Sequence, residues 1–167
     1  YLRGLGNIDF DAQGNPWLAR GFDIAKGEFI WYWREPGSKK WEEFRRQSED
    51  DFSTFSVAEL DDAKPGHVLV YANNGHDKVG LWSYDVHAQK FSELIYQRND
   101  VDVYGIRYHS NDWSLPDKVT GVSYFKDKYR VEYFDETEGA TYKLLEETIP
   151  FAYYVNIGSR SRDGATM

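Results

Sequence analysis

The amino-acid sequence predicts an all-β protein, and three observations support this prediction. Aromatic residues make up 17% of the 167 residues, with 13 Tyr, 10 Phe and 6 Trp. Aromatic and β-branched side chains fit the half-buried surface of a pleated sheet, so this composition favours strands. Short apolar runs are separated by polar turns, as in successive hairpins. The same order of runs and turns returns about every 50 residues.

Two independent sets of markers give this period. The first is a polar turn that follows an apolar strand and recurs every 50 to 52 residues, at Asp11, Asp61, Asn111 and Asp163. The second is the strand-turn-strand segment further along, in which Trp31, Trp82 and Val131 are 51 and 49 residues apart. Two markers with one period indicate an internal structural repeat.

Each period contains four short strands. In the middle copy they are predicted at about 55–58, 67–71, 80–85 and 91–96. A repeat of about 40 to 50 residues with four strands is typical of one blade of a β-propeller. We therefore predict one domain over residues 1–167, an incomplete β-propeller of about three four-stranded antiparallel blades plus the first strand of a fourth. The blades are placed at about 5–47, 52–98 and 101–149, and the start of the fourth at about 151–167.

One segment of the third repeat has two interpretations. Tyr142, Leu145 and Ile149 are spaced by three and four residues, which predicts a helix near 141–148 that Pro150 ends. The same residues fit the outer strand of the third blade, after a turn at Glu138-Gly139. Both interpretations stay open at this point.

The ends of the chain suggest that it belongs to a larger protein. It begins without Met and stops at Thr166-Met167, in what resembles the start of a strand. Propellers normally close with about four to eight blades. An open arc would leave unpaired blade edges, through which we expect self-association unless another chain covers them.

Composition also excludes several classes of function. The net charge of −8 disfavours a general role in binding nucleic acids or anionic membranes. The absence of cysteine excludes disulfides, thiolate zinc sites and a cysteine nucleophile. No apolar run approaches the roughly 20 residues that span a bilayer. The short basic runs at 38–40 and 160–162 are interpreted as solvated turns.

No complete catalytic or cofactor motif is present. The segment Gly4-Leu5-Gly6 lacks the third glycine and the following helix of a dinucleotide-binding loop. The segment 37–40 lacks the upstream glycine of a phosphate-binding loop. The serines of 158–164 fail the spacing of a nucleophile elbow, and this segment is predicted to form a hairpin turn.

Single residue types that often carry chemistry are interpreted structurally. The histidines, none of which form a metal-ligand spacing, are expected to be scattered and exposed: His67, His76, His87 and His109. The paired acids are expected on the surface: Asp61-Asp62, Glu42-Glu43 and Glu146-Glu147. The aromatic run 29–33 is expected to be core rather than a stacking platform. We therefore predict no catalytic, cofactor-binding or metal-binding residue in this chain, and no cofactor.

Several segments resemble a known family. They are 48–52, 73–77, 100–106, 119–124, 133–135 and 151–164. Together they resemble the propeller region of bacterial prolyl oligopeptidase-family serine peptidases, especially acylaminoacyl peptidases and dipeptidyl aminopeptidases. The resemblance runs from about Asp9 to Gly164 and rests on turn-and-strand signatures.

In that family the propeller covers an α/β-hydrolase domain that holds the Ser-Asp-His triad, and it restricts access to peptides. The resemblance therefore implies a non-catalytic part of a peptidase that gates peptide access to a hydrolase domain absent from this chain. The implied partners are that domain and the peptide substrate, with no nucleic acid and no membrane. The compartment, cytoplasm or periplasm of a bacterium, is left open.

Two other functions remain open. One is a free-standing propeller-type interaction module whose partner binds the loops between blades. The other is a carbohydrate-active propeller enzyme with carboxylates at the inner strand ends.

Overall fold

The computed structural model describes residues 2, 4–11, 13–61, 63–108, 118–149, 151, 153–158 and 161. Within these ranges, eleven strands form three antiparallel sheets, and one helix follows the last strand. The chain divides into two compact units. The first comprises residues up to Val70 together with Ser83–Glu93, and the second comprises Tyr71–Trp82 together with the residues from Leu94 onward.

The first sheet has four strands in sequence order. They are β1 (Leu5–Phe10), β2 (Pro16–Asp23), β3 (Glu28–Trp33) and β4 (Glu42–Ser48). The inner strand β3 pairs with β2 through Ala19↔Tyr32 and with β4 through Ile30↔Arg46. Four of its six residues are buried, which makes it the centre of this sheet's core.

The second sheet repeats the same order. Its strands are β5 (Phe55–Leu60), β6 (His67–Ala72), β7 (Gly80–Asp85) and β8 (Lys90–Tyr96). The predicted strands of the middle repeat are confirmed, with ends displaced by at most two residues. As in the first sheet, the third strand is the most buried, since five of the six residues of β7 are inaccessible.

The third sheet has three strands, β9 (Val103–Tyr108), β10 (Val119–Phe125) and β11 (Tyr129–Tyr133), with β10 in the centre. The prediction of a fourth strand at Tyr142–Leu144 is wrong, because these residues belong to the helix α1 (Glu136–Thr148). The helical alternative is confirmed, although the helix begins earlier than predicted and includes Gly139. The described residues beyond α1 form no strand, and the rest of the predicted fourth blade lies outside the described residues.

The helix forms here because its first turn is capped. The Asp135 carboxylate accepts a hydrogen bond from the Glu138 backbone N–H at 2.9 Å, which satisfies one of the free donors at a helix start. Glu136 and Glu138 add negative charge where the helix dipole is positive. Tyr142 is buried and stacks on Tyr133 of β11, with ring centroids 4.8 Å apart.

Replacing Asp135 with alanine is expected to destabilise the second unit by about 0.5–2 kcal/mol, because the cap bond is lost. Thermal or urea unfolding measures this change. Asp135→Asn is the matched variant, since asparagine caps as well as aspartate. Equal losses in both variants would mean that the cap bond does not stabilise the helix.

The internal repeat is visible in the turns. Asp11 directly follows β1 and Asp61 directly follows β5. Each carboxylate accepts from the backbone N–H two residues later, at 3.0 Å from Gln13 and 3.2 Å from Ala63. The first marker is thus confirmed in its first two copies, whereas Asn111 and Asp163 lie outside the described residues.

The second marker is confirmed in all three copies, because its residues lie in the third strand of each sheet: Trp31 in β3, Trp82 in β7 and Val131 in β11. The repeating unit is therefore a meander, in which each described strand pairs with its sequence neighbours within the same sheet. The blade boundaries themselves stay a prediction.

Candidate functional site

None of the described histidines is hydrogen-bonded to a carboxylate. In the first unit, His67 Nε2 lies 3.9 Å from Asp85 Oδ2, which is too long for a hydrogen bond. Asp85 instead accepts from the backbone N–H groups of Ala88 and His87, and its pKa is lowered first by the bond from Ala88. Because of these two backbone hydrogen bonds, Asp85 stabilises a hairpin turn. His87 is exposed and lies 3.6 Å from Glu35.

The two remaining histidines are His76 and His109. In the second unit, the exposed His76 packs against Trp82 with ring centroids 5.5 Å apart. His109 lies outside the described residues. The expected exposure is thus confirmed for His76 and His87, while His67 is partly buried. No group of three or more His, Asp or Glu side chains among the described residues is arranged to hold a metal ion.

The paired acids mostly have structural partners. Asp61 accepts from the Ser83 hydroxyl at 2.5 Å, which ties the turn after β5 to β7. Glu43 pairs with Arg46 at 2.6 Å, and Glu42 with Lys40 at 2.9 Å. Other expected surface acids, Glu146 and Glu147, are exposed on α1, while Asp62 lies outside the described residues.

The glycine and aromatic motifs also have structural roles. Gly4 has φ +64°, and a Cβ there would lie 2.0 Å from the Phe22 carbonyl oxygen, so only glycine fits this close approach of two strands. The aromatic run 29–33 lies in β3, where Ile30, Trp31, Tyr32 and Trp33 are buried. Its interpretation as core is confirmed for these four residues. Ser159, Arg160 and 162–164 lie outside the described residues.

A cleft in the second unit is the first candidate site. It has a volume of about 350 Å³ and is lined by His76, Asp77, Lys78, Leu94, Gln97, Arg98 and Asn99. Gln97 donates to the Lys78 backbone carbonyl at 2.5 Å, which joins the two chain segments that form its walls. The cleft therefore combines one apolar side chain, Leu94, with cationic and amide groups, one carboxylate and one imidazole.

The Arg98 side chain is positioned by a network of partners. Its Nε and Nη2 bind the two Asp100 oxygens at 2.7 and 2.9 Å, and Nη1 donates to the Tyr124 hydroxyl at 3.2 Å. Lys126 reaches the same carboxylate at 2.9 Å. The bonds from Arg98 first, and then from Lys126, lower the pKa of Asp100 far below its usual range. Asp100 is thus a fixed anion that orients Arg98 at the cleft.

Replacing Asp100 with asparagine is expected to lower the melting temperature at neutral pH, since two cations lose their shared anion. A carboxyl whose pKa is lowered on folding stabilises the protein above its unfolded pKa, near about 3.9, and this stabilisation fades as pH falls through the folded pKa. The difference between wild type and variant should therefore narrow progressively below about pH 4.

Melting curves at pH 7 and pH 3 measure this change. Asp77→Asn is the control, because the Asp77 side chain is 86% exposed. If the melting temperatures of wild type and Asp100→Asn differ by the same amount at both pH values, the assignment of Asp100 as the shared anion is contradicted.

A second candidate is the aromatic face of the third sheet, which we define as the rings of Tyr104, Phe125, Tyr129, Tyr153 and Tyr154. Tyr104 stacks on Phe125 at 6.0 Å, and Tyr129 meets Tyr154 edge to face at 4.9 Å. Apart from Tyr129, these rings are exposed by 44 to 58% of their surface. Contiguous exposed rings of this kind mark interaction surfaces more often than ordinary surface.

The aromatic face and the Arg98 network were not predicted from the sequence. The available signal was weak, since Tyr104 and Phe125 each directly follow a buried residue in their strands, as exposed residues of any strand do. Tyr153 and Tyr154 contribute from a segment without regular structure, whose position the local pattern does not predict.

Comparisons with protein-family models, with curated proteins and with solved structures gave no significant match. Across the described residues, no helix combines the length and hydrophobicity needed to cross a membrane.

Proposed function

We propose that this chain is a non-catalytic stretch of a β-propeller from a prolyl oligopeptidase-like serine peptidase. In the parent protein it would gate peptide access to an α/β-hydrolase domain outside this chain. The observation that supports this proposal most is the meander order of the three successive sheets. Blades of a propeller are built from consecutive antiparallel strands, whereas a Greek-key sandwich joins strands that are distant in sequence.

The packing of the sheets suits a gating role. A gate that excludes folded proteins has to be stiff, and stiffness comes from close-packed interiors. In the first unit, Phe55 lies between Trp31 of β3 and Tyr84 of β7, at ring distances of 5.3 and 5.2 Å. Aromatic contacts of this kind join the strands of successive repeats into one core within that unit.

The proposal is tested by extending the gene on both sides of this segment. This chain and the complete polypeptide are expressed separately and assayed with chromogenic peptides. We expect a downstream Gly-x-Ser-x-Gly domain, cleavage by the long polypeptide alone, and loss of cleavage when that serine is replaced by alanine. A reading frame without a hydrolase domain, or cleavage by this chain alone, would refute the proposal.

A second candidate is a free-standing interaction module, and the aromatic face is the observation that favours it. Tyrosine and arginine are enriched where proteins bind one another, because they combine a large contact area with a polar tip. This candidate predicts that the reading frame holds no hydrolase domain. The gene extension therefore discriminates between the two functions.

A further inference from the structure

Arg107 of β9 is a partly buried cation without a carboxylate partner among the described residues. Its two hydrogen bonds go to neutral acceptors, the Tyr154 hydroxyl and the Asn156 side-chain oxygen, each at 3.1 Å. Its Nε–H is buried and has no acceptor. Four other described arginines bind carboxylates: Arg20, Arg46, Arg98 and Arg130. Two more, Arg34 and Arg45, lie over the rings of Trp41 and Phe55.

Arg107 lacks a carboxylate partner among the described residues although acids outnumber basic residues in this chain, whose net charge is −8. Burial acts to lower the pKa of Arg107, but the neighbouring Tyr154, Tyr129 and Tyr133 raise it, and the net shift is upward. The guanidinium is therefore charged. A partly buried charge normally has an opposite charge beside it, because desolvation without a counter-ion costs free energy.

The groups around Arg107 are hydrogen-bond donors as well as acceptors. A guanidinium has five N–H donors, and only two of those of Arg107 are used. The Tyr154 oxygen accepts from Arg107, which leaves its O–H free to donate elsewhere. The Asn156 amide nitrogen offers two more donors beside the oxygen that Arg107 binds. Three side chains thus bring donors to one place, as a carboxylate requires.

We propose that Arg107, Tyr154 and Asn156 form a binding site for the C-terminal carboxylate of a peptide whose last side chain is aromatic. The positively charged guanidinium binds the negatively charged terminal carboxylate. The terminal aromatic ring of the peptide packs against the aromatic face beside it. Tyr154 joins the two parts, because its ring meets Tyr129 at 4.9 Å and its hydroxyl binds Arg107. This inference goes beyond the gating role and does not depend on a hydrolase domain.

A chain end fits this site better than a side-chain carboxylate within a peptide. The Arg107 side chain is partly buried and is held from the 153–158 segment by two contacts. A terminal carboxylate can enter such a site head first, with a single strand of backbone leading away. An internal Asp or Glu would need to bring backbone on both sides past the ring of Tyr154, whose centroid lies 5.9 Å from the Arg107 guanidinium carbon.

The test is the affinity of the purified chain for fluorescent peptides that end in Ala-Ala-Phe, measured by polarisation. One peptide has a free terminal carboxylate, the second has a terminal amide, and the third is an amide with an internal Glu before Phe. We expect the free acid to bind at least about tenfold more tightly than either amide, since it alone makes charge-assisted hydrogen bonds at the site.

Three variants locate the site. Arg107→Gln should abolish the preference for the free acid, and Tyr154→Phe, which keeps the ring and the fold, should reduce it. Arg130→Gln is the matched control, because Arg130 lies in the same sheet and pairs with Asp127 at 2.9 Å. Circular dichroism verifies that each variant is folded.

Equal binding of acid and amide would overturn the proposal, as would the absence of binding by any peptide. Tighter binding of the internal Glu peptide would refute the terminal source of the carboxylate. If the preference for the free-acid peptide persists in Arg107→Gln but is lost in Arg130→Gln, the terminal carboxylate binds at another site and the proposal is refuted.

Discussion

Replacing Phe55 with alanine is expected to lower the free energy of unfolding of the first unit by about 3–5 kcal/mol, the usual cost of deleting a buried aromatic side chain. Phe55 is 7% exposed and contacts Trp31, Tyr84 and Phe91 at ring distances of 5.2 to 6.1 Å. The Arg45 guanidinium lies 3.9 Å from its ring centroid. Deleting the ring removes one member from several edge-to-face contacts and leaves a cavity.

Chemical denaturation followed by tryptophan fluorescence measures this effect. The matched control is Phe52→Ala, because Phe52 lies three residues earlier and is 94% exposed. We expect that control to change stability by less than about 0.5 kcal/mol. Similar losses in the two variants would show that Phe55 is not part of a packed core.

Replacing Gly121 with alanine is expected to destabilise the second unit by about 1–3 kcal/mol, as overpacking does. Gly121 lies in β10, the central strand of the third sheet, opposite Tyr133 of β11. A Cβ at this position would lie 2.3 Å from the Glu132 carbonyl oxygen and 3.1 Å from the Tyr133 Cα. Both atoms belong to the backbone of β11, so the clash is relieved only if two paired strands separate.

Gly158→Ala is the control for this substitution, because a Cβ there would meet no atom within 4 Å. We expect its effect on stability to stay within about 0.5 kcal/mol. Hydrogen exchange of the β10 and β11 amides gives a second measurement, in which only Gly121→Ala should lose protection. A neutral Gly121→Ala variant would contradict the pairing of β10 with β11.

The strands of the first two sheets could be predicted because their signals are local. Period-two alternation and turn residues such as Asp61 and Asp85 act over a few neighbours, and these are the residues that close the hairpins. The 50-residue repeat predicted four-stranded antiparallel units, and the first two sheets have four strands each, in which sequence neighbours pair.

The third repeat shows where this reasoning fails. Gly139 was interpreted as part of a turn between strands, yet it is the fourth residue of α1. The better signal was three residues upstream of Glu138, where Asp135 is a favoured N-cap residue. The turn signal at Gly139 and the N-cap signal at Asp135 predict different structures for the same segment. The burial of Tyr142 against Tyr133 favours the helix.

The candidate sites were beyond prediction for a different reason. Arg107 meets Tyr154 and Asn156 across 47 and 49 residues of sequence. Such contacts depend on where an irregular segment crosses a sheet, which neither hydrophobic periodicity nor turn chemistry encodes. The same holds for Arg98 and Tyr124, which are 26 residues apart.

The most direct test of the proposed function is an experimental structure of the complete parent protein. We expect each of the three sheets to form one blade around a common axis, with an α/β-hydrolase domain covering one end of that axis. Two of these sheets stacked face to face in a sandwich, or a parent without a hydrolase domain, would contradict the proposal.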